Sequence, residues 1–182
     1  MSYKIAVAGS AEKEVCPECA PGLSEEVGKE IVRQGCILVT GATTGMPYYA
    51  AKGAKKNKGF SIGFSPAASE IAHSKKYKLP VDAFDIIVYT GFGYAGRNLL
   101  MTRAADAVIV ICGRMGTLNE FTIAFEDEKP IGVLVGSGGT ADNIKKIIQR
   151  PYRGKANIIY EREPKKIVKE LIKQIKKNKK RS

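Results

Sequence analysis

The stretch from residue 107 to residue 128 reads AVIVICGRMGTLNEFTIAFEDE and predicts one strand, one turn and one helix in succession. Ala107 to Cys112 is short and almost wholly apolar, which is typical of a strand with both faces buried in a parallel sheet. Gly113 to Thr117 is a glycine-rich turn, and Thr117 to Glu128 is predicted to be a helix. A strand that leads into a helix in this way is the unit of an α/β fold.

The same alternation runs through the whole chain of 182 residues. Further strands are predicted at 3–8, 36–40, 59–64, 84–90, 131–135 and 157–160. Further helices are predicted at 23–34, 47–57, 96–105, 140–149 and 164–177, and residues 65–83 are predicted to be a long loop. The pattern predicts an α/β fold with a three-layer, doubly wound, Rossmann-like parallel sheet of about six or seven strands and helices on both faces. We expect one domain over residues 1–182, with a ligand site outside the carboxyl ends of the strands, where the strand order switches.

The net charge of +12 is concentrated near the C-terminus. Residues 163–182 contain nine of the 30 Lys and Arg residues and only two of the 18 Asp and Glu residues. A lysine-rich, solvated last helix (about 164–182) is the simpler interpretation, and weak binding to nucleic acid or to a membrane surface is the alternative. We therefore do not expect nucleic acid or a membrane to be the partner.

The chain carries no targeting or membrane signal that the sequence reveals. No N-terminal stretch has the order of a signal peptide, and no apolar run approaches the roughly 20 residues that span a bilayer. The chain is predicted to be soluble and cytoplasmic.

Four cysteines are present. Cys36 and Cys112 lie in apolar, strand-like runs and are interpreted as small buried hydrophobes. Cys16 and Cys19 form a CxxC, which suits a redox pair, half of a zinc site, or two incidental cysteines in a loop. Zinc needs four ligands, and the other candidates in one chain are the two strand cysteines and His73. We therefore expect no metal site within one chain. A zinc site with ligands from two subunits is the remaining alternative.

Three strand-to-helix turns are rich in glycine, serine and threonine. Glycine lets the backbone approach an oxyanion, hydroxyls add donors, and each turn opens a helix whose free N–H groups favour phosphate. Three such turns at one sheet edge predict a phosphate site; the alternative is that any doubly wound fold needs small residues at its tight turns. The candidate ligand-binding residues are Gly9, Ser10, Gly41, Thr43, Thr44, Gly45, Gly113, Arg114, Gly116 and Thr117.

Two common nucleotide-binding motifs are absent. The first turn has no GxGxxG, and residues 11–22 separate its strand from the next helix, which disfavours a classical NAD dehydrogenase. GxxxxGK[ST] is absent as well, which disfavours ATP or GTP hydrolysis by a P-loop enzyme.

Residues 96–106 and 113–120, GRNLLMTRAAD and GRMGTLNE, resemble the LOG family, which is named for LONELY GUY and often labelled lysine decarboxylase-like. Its members carry R-K-x-x-M-x-x-x-A-D followed by PGGxGTxxE. The resemblance spans most of the chain, since the turn at residues 41–45 stands where the family has a glycine-rich phosphate loop. The matching positions are Arg97, Met101, Ala105, Asp106, Gly113, Gly116, Thr117 and Glu120.

The resemblance implies a nucleotide-processing site. The family's known enzymes are phosphoribohydrolases that cleave the base–ribose bond of cytokinin nucleoside monophosphates, and the resemblance assigns catalytic roles to Arg97 and Glu120 and phosphate contacts to Gly116 and Thr117. A carboxylate at Glu120 suits the oxocarbenium-like state of N-glycosidic cleavage, and the Arg97 fork can hold phosphate or carboxylate. A helix-start carboxylate and a structural ion pair are the alternatives for these two residues.

Three positions depart from the family pattern. Asn98 replaces the family lysine, Arg114 the second glycine of PGG, and Cys112 the proline. The Arg97–Asn98 pair is more similar to a sister branch of the superfamily, which includes molybdenum cofactor carrier proteins. Arg114 either fills the pocket or adds a positive group for a more highly charged ligand. Both outcomes weaken the inference that this chain has the family's activity on cytokinin nucleotides.

These departures favour a carrier or sensor that binds a phosphorylated, nucleotide-like or pterin-type small molecule, with Asn98 among its ligand-binding residues. No cofactor is required, and the expected ligand is a nucleotide or a molybdopterin-type molecule. The alternative is a nucleoside 5′-monophosphate phosphoribohydrolase, with Glu120 catalytic and Arg97 orienting the substrate. A third hypothesis follows from the superfamily's similarity to DprA-type DNA-processing proteins. It is that the basic C-terminal tail binds single-stranded DNA. Relatives with this fold assemble as dimers or tetramers, so the resemblance implies a homo-oligomer.

Overall fold

A computed structural model describes residues 2–148 and 157–180 of the chain. These residues form one sheet of seven parallel strands in the order β4-β3-β2-β1-β5-β6-β7. The strands are β1 Lys4–Gly9, β2 Ile37–Thr40, β3 Ser61–Ser65, β4 Ile86–Tyr89, β5 Ala107–Ile111, β6 Ile131–Leu134 and β7 Ile158–Glu161. The predicted doubly wound parallel sheet is confirmed.

Helices cover both faces of the sheet. They are α1 Ala20–Arg33, α2 Met46–Lys56, α3 Gly93–Ala104, α4 Met115–Glu126, α5 Gly139–Ile147 and α6 Pro164–Lys179. Apolar residues of α1, α2 and α6 pack on one face, and those of α3, α4 and α5 pack on the other. The central strand β5 is buried at all five positions, which is why its sequence is apolar without alternation.

Helices α1 and α2 pack unusually close to each other. A Cβ atom at Gly28 would overlap the backbone of Ala50 in the neighbouring helix, so this contact requires a residue without a side chain. Gly53 has the same relation to the backbone of Glu25. Glycine at these two positions therefore sets the spacing of the two helices that follow β1 and β2.

Several element boundaries differ from the predictions. Helix α1 begins at Ala20, before the periodic residues, because Pro21 is tolerated in a first helical turn. Helix α3 begins at Gly93 and not at Gly96. The predicted loop 65–83 contains a short helical segment, Ala72–Lys76. Residue 149, the predicted end of α5, and residues 181–182 of the predicted basic helix lie outside the described residues.

That short helical segment forms around a buried histidine. The ring of His73 is fully buried, with Nδ1 2.8 Å from Ser65 Oγ and Nε2 3.0 Å from Pro80 O. Both ring nitrogens thus have partners, which tie this segment to Ser65 at the end of β3 and to Pro80.

None of the described helices has a stretch long and apolar enough to cross a bilayer.

Candidate functional site

A cleft of about 340 Å³ lies at the carboxyl ends of β1 and β5, the strands between which the chain order reverses. Gly9, the last residue of β1, and Ser10 line one side, and Arg114, just after β5, lines the other. Thr43, from the turn after β2, also lines it and is buried. Ligands of open parallel sheets bind at such a switch in strand order. The cleft is therefore where the sequence predicted the ligand site.

Three helices begin beside this cleft. Pro47 of α2, Tyr94 of α3, and Gly116 and Thr117 of α4 all lie in first turns and line it. The N–H groups of a first helical turn have no acceptor within the helix, and the helix dipole makes this end positive. No side chain caps the start of α4. The first turn of α4 is thus suited to an anionic group.

Arg97 and Glu120 meet in the wall of the cleft as a buried ion pair. Arg97 lies on the second turn of α3 and Glu120 on the second turn of α4, and these helices pack side by side. Arg97 Nη1 donates to Glu120 Oε1 at 3.2 Å, and the two residues are only 4% and 6% exposed. The Arg97 guanidinium also lies 5.8 Å from the ring centre of Tyr94 and 3.9 Å, at Nη1, from Met101 Sδ.

The surroundings of this pair shift both of its ionisations. Burial raises the pKa of Glu120 from 4.5 to about 7, although the charge of Arg97 acts in the opposite direction. Burial also lowers the pKa of Arg97, while the charge of Glu120 acts to raise it. An arginine stays protonated in proteins, so the cleft wall keeps a buried cation whose carboxylate partner changes charge near neutral pH.

One donor of this pair has no acceptor. Among the described residues, Arg97 Nε is buried and makes no hydrogen bond. A buried, unpaired donor costs free energy, and such groups concentrate at functional sites.

Gly41, in the turn after β2, leaves the space that the Arg97 guanidinium occupies. A Cβ atom at this position would overlap Nη1 of Arg97, so the turn after β2 must carry glycine here for the guanidinium to lie where it does. Gly41 itself does not line the cleft. Its predicted role in contacting phosphate is therefore better described as making room for Arg97.

Arg114 lies at the rim of the cleft. Its Nη2 donates to Glu12 Oε1 at 2.6 Å, and both side chains are about half exposed. Ser10 Oγ donates to the carbonyl of Glu12 at 2.8 Å and accepts from its amide at 3.2 Å. Of the two alternatives for Arg114, the structure places its charge at the mouth and leaves the interior open.

Asn98 joins the two helices that carry the ion pair. Its Nδ2 donates to Asn119 Oδ1 at 2.9 Å and to the carbonyl of Gly116 at 3.5 Å. Asn98 is 4% exposed and lines the cleft. Where the LOG pattern has a lysine, this chain thus has a neutral group already bound to the start of α4.

The other predicted residues support the turns without lining the cleft. Thr44 Oγ1 donates to the carbonyl of Ala11 at 2.8 Å. Gly45, with a φ of 69°, packs on the backbone of residues 10 and 11, and Gly113, with a φ of 103°, packs on Thr117. Both glycines have backbone conformations that other residues rarely adopt.

Sequence reasoning missed four lining residues: Ala11, Glu12, Pro47 and Tyr94. Pro47 was recognised only as a helix start. Two of these residues could have been noticed: Glu12 is a carboxylate three residues beyond β1, and Tyr94 is an aromatic residue just before Arg97. Tyr94 was missed because α3 was predicted to begin at Gly96 and begins at Gly93.

Cys112 is not the simple buried hydrophobe that its sequence context suggested. It is buried, but it forms a disulfide with Cys16, with a Cα–Cα distance of 5.9 Å. Of the three alternatives for Cys16 and Cys19, none anticipated this bond, because Cys16 pairs with Cys112 and not with Cys19, which is free and exposed. Cys36 is buried, as predicted, and free. No group of three or more metal-binding side chains occurs among residues 2–148 and 157–180.

Fold and cleft together define a Rossmann-like α/β protein of the LOG-like superfamily, with its candidate site at the switch in strand order. Within that class, the chain belongs to the SLOG cluster4 family, whose model matches residues 2–168.

The chain is also similar to individual known proteins. An uncharacterized protein of Archaeoglobus fulgidus is 30% identical over 131 residues, 72% of this chain and 79% of that protein. The molybdenum cofactor binding protein of Rippkaea orientalis is 27% identical, with a TM-score of 0.76 over 96% of this chain and 98% of that one. The molybdenum cofactor carrier protein of Chlamydomonas reinhardtii is 26% identical, with a TM-score of 0.75 and the same coverage.

The DNA-processing protein A of Helicobacter pylori shares the fold more distantly. It is 18% identical, with a TM-score of 0.64 over 94% of this chain and 81% of that one. At this identity the likeness concerns the fold alone, so it gives no support to a role in binding DNA.

Proposed function

We propose that this chain binds a phosphorylated, nucleotide-like or pterin-type small molecule in the cleft between β1 and β5, and carries or senses it. The observation that carries the proposal is the juxtaposition, in one cleft of about 340 Å³, of the uncapped start of α4 and the buried Arg97–Glu120 pair. A cleft of this size is at the lower end of the range for small-molecule sites. The solved relatives from Rippkaea and Chlamydomonas are named for binding and carrying a molybdenum cofactor.

Different lining residues of the cleft suit the phosphate and the heterocycle of such a ligand. Gly116 and Thr117 begin α4 and offer backbone N–H groups to a phosphate, with Arg114 as a second positive group at the rim. Arg97, with its unpaired Nε, and Tyr94 line the same cleft and suit a polar heterocycle.

A negative charge introduced at the start of α4 tests the proposed phosphate contact. Gly116 is exposed and a Cβ atom there meets nothing within 4 Å, so Gly116→Asp fits sterically, and an acidic residue in a first helical turn stabilises the helix. The same change at Gly22, which is exposed, open and in the first turn of α1, is the matched control.

Calorimetry with adenosine 5′-monophosphate and with molybdenum cofactor released from a molybdoenzyme measures the binding. We expect Gly116→Asp to weaken binding at least about ten-fold, because like charges brought together cost several kcal/mol, and Gly22→Asp to leave it unchanged. The proposal fails if neither probe binds, or if the two variants bind the probes equally well.

A second candidate is the phosphoribohydrolase. It is favoured by one observation, the carboxyl of Glu120 in the cleft with a pKa of about 7, which suits a group that gives and takes protons at neutral pH. A panel of nucleoside monophosphates assayed for free base tests it. Release of free base that disappears in Glu120→Gln supports the phosphoribohydrolase. Tight binding without turnover supports a carrier or sensor.

A homo-oligomer remains part of the proposal. The edge strand β4, the turn after it and helix α3 expose large apolar side chains, including Ile86, Val88, Phe92 and Leu100. Exposed apolar patches of this kind mark interaction surfaces. Light scattering coupled to gel filtration gives the subunit number, and a monomer would contradict this part.

A further inference from the structure

We propose that the Cys16–Cys112 disulfide is a reversible latch over the candidate cleft, and that the thiol of Cys19 can open it by exchange. The inference concerns regulation of the same site, so it rests on the proposed function. Three of the four cysteines are involved: two form the bond, and the third lies three residues along the chain from one of them.

Residues 10–19, here called the cover segment, lie between β1 and α1 and carry part of the cleft lining, at Ser10, Ala11 and Glu12. Beyond residue 11 most of the cover segment lies at the surface, although Cys16 packs on the core and Pro17 lies against Gly138. The short helical turn of the segment, Lys13–Val15, has no buried residue, and residues 17–19 are exposed. Segments with so little buried surface open at low free-energy cost.

Few other interactions hold the outer part of the cover segment in place. The ion pair between Glu12 and Arg114 joins two half-exposed side chains, and such pairs contribute little. Thr44 Oγ1 donates one hydrogen bond to the carbonyl of Ala11. The covalent bond at Cys16 is therefore the strongest restraint beyond residue 11.

The other end of the latch is anchored in the core. Cys112 is fully buried at the end of β5, and its amide donates to Ser137 Oγ at 2.8 Å. Its carbonyl accepts from the amide of Ala141 at 2.9 Å. Breaking the disulfide therefore frees the cover segment, while these hydrogen bonds keep Cys112 in place at the end of β5.

The position of Cys19 gives an internal route to opening. Cys19 is exposed and free, and Cys16 is partly exposed, whereas Cys112 is inaccessible, so the sulfur open to attack is that of Cys16. The Cys19 thiolate forms a bond to Cys16 Sγ, the Cys16–Cys112 bond breaks, and Cys112 leaves as a thiolate. The proton that Cys19 lost passes through water to Cys112. One disulfide and one thiol are present before and after, so no external oxidant or reductant is needed.

A latch of this kind suits a reducing compartment, such as the one predicted for this chain. Disulfides there are usually transient and act as redox sensors. The closed latch keeps Ala11 and Glu12 at the mouth of the cleft and slows exchange of the ligand; the open latch lets the ligand leave. We expect release to be at least about five-fold slower from the closed form, at the low end of measured coupling between sites.

Stopped-flow displacement of a fluorescent derivative of adenosine 5′-monophosphate measures release. It is compared for oxidised wild type, for wild type reduced with dithiothreitol, and for Cys16→Ser. Cys36→Ala, which removes the remaining thiol far from the bond, is the control and should behave as wild type. Faster release in both the reduced protein and Cys16→Ser supports the latch, and equal release in all forms overturns it.

Two readouts do not depend on the ligand. Amide hydrogen exchange of residues 11–19 should increase on reduction in wild type and should not respond to reduction in Cys16→Ser. Alkylation of the non-reduced native protein, followed by peptide mapping, should find labelled Cys112 in wild type and not in Cys19→Ser; equal labelling in the two would overturn the exchange route.

These readouts separate the two proposals. If neither the fluorescent probe nor molybdenum cofactor binds to either form, the proposed function fails, and hydrogen exchange still decides the latch. If the probe binds but its release and the exchange of residues 11–19 are the same in both redox states, the latch fails and the proposed function stands.

Discussion

Replacing Glu120 by glutamine should change how the stability of the protein depends on pH. The carboxyl is buried against Arg97, and burial raises its pKa in the folded protein from 4.5 to about 7. The folded state therefore binds a proton more tightly than the unfolded chain does. The stabilisation that protonated Glu120 gives to the folded protein is fully present below pH 4.5 and is lost as the pH rises through about 7.

The size of this effect follows from the shift. Each pKa unit corresponds to about 1.4 kcal/mol, so a rise from 4.5 to about 7 amounts to roughly 3 kcal/mol. Glu120→Gln keeps the shape of the side chain and removes the ionisation. The stability of wild type relative to the variant should thus increase by up to about 3 kcal/mol as the pH falls from about 8 to about 4.5.

Urea unfolding followed by circular dichroism, at several pH values across this interval, measures the difference. Glu126→Gln, at an exposed position of the same helix, is the matched control for loss of a carboxylate. A difference between wild type and Glu120→Gln that stays constant with pH, or that shrinks toward acid, would refute the assignment of a raised pKa to this buried group.

Three further changes test the packing and charge of the fold. Gly41→Ala should displace the Arg97 guanidinium, lowering stability by roughly 1–3 kcal/mol and weakening ligand binding, as denaturation and calorimetry would show. Gly28→Ala should force α1 and α2 apart, at a cost of about 2–3 kcal/mol in urea unfolding, while Gly22→Ala in the same helix should be neutral or stabilise by up to about 1 kcal/mol. Burial tends to raise the pKa of Asp106, but hydrogen bonds from the lysines around it hold that pKa below its ordinary value. Its stabilisation is therefore present at neutral pH and lost in acid, so Asp106→Asn should destabilise the protein in urea unfolding at neutral pH, with a deficit that disappears as the pH falls.

The sequence by itself determined the order of elements and the location of the cleft. Apolar runs such as that of β5 must be buried on both faces, which leaves a parallel sheet as the arrangement consistent with the pattern. The predicted helices place Arg97 and Glu120 near two helix starts, and parallel topology then brings both helix starts to the same sheet edge; the structure moves the start of α3 back to Gly93 and so puts Arg97 on its second turn. Local sequence is enough for these features because each depends on periodicity or on a fixed rule of connection.

The tertiary structure alone decided which residues meet across the cleft. Cys16 and Cys112 are separated by 96 positions, and neither their neighbours nor the CxxC spacing indicates that they pair. Glu12 and Arg114 meet because the cover segment folds back over the turn after β5. Such contacts depend on the path of irregular chain between elements, where neither hydrophobic periodicity nor strand topology constrains the backbone, and so they follow only from packing of the whole molecule.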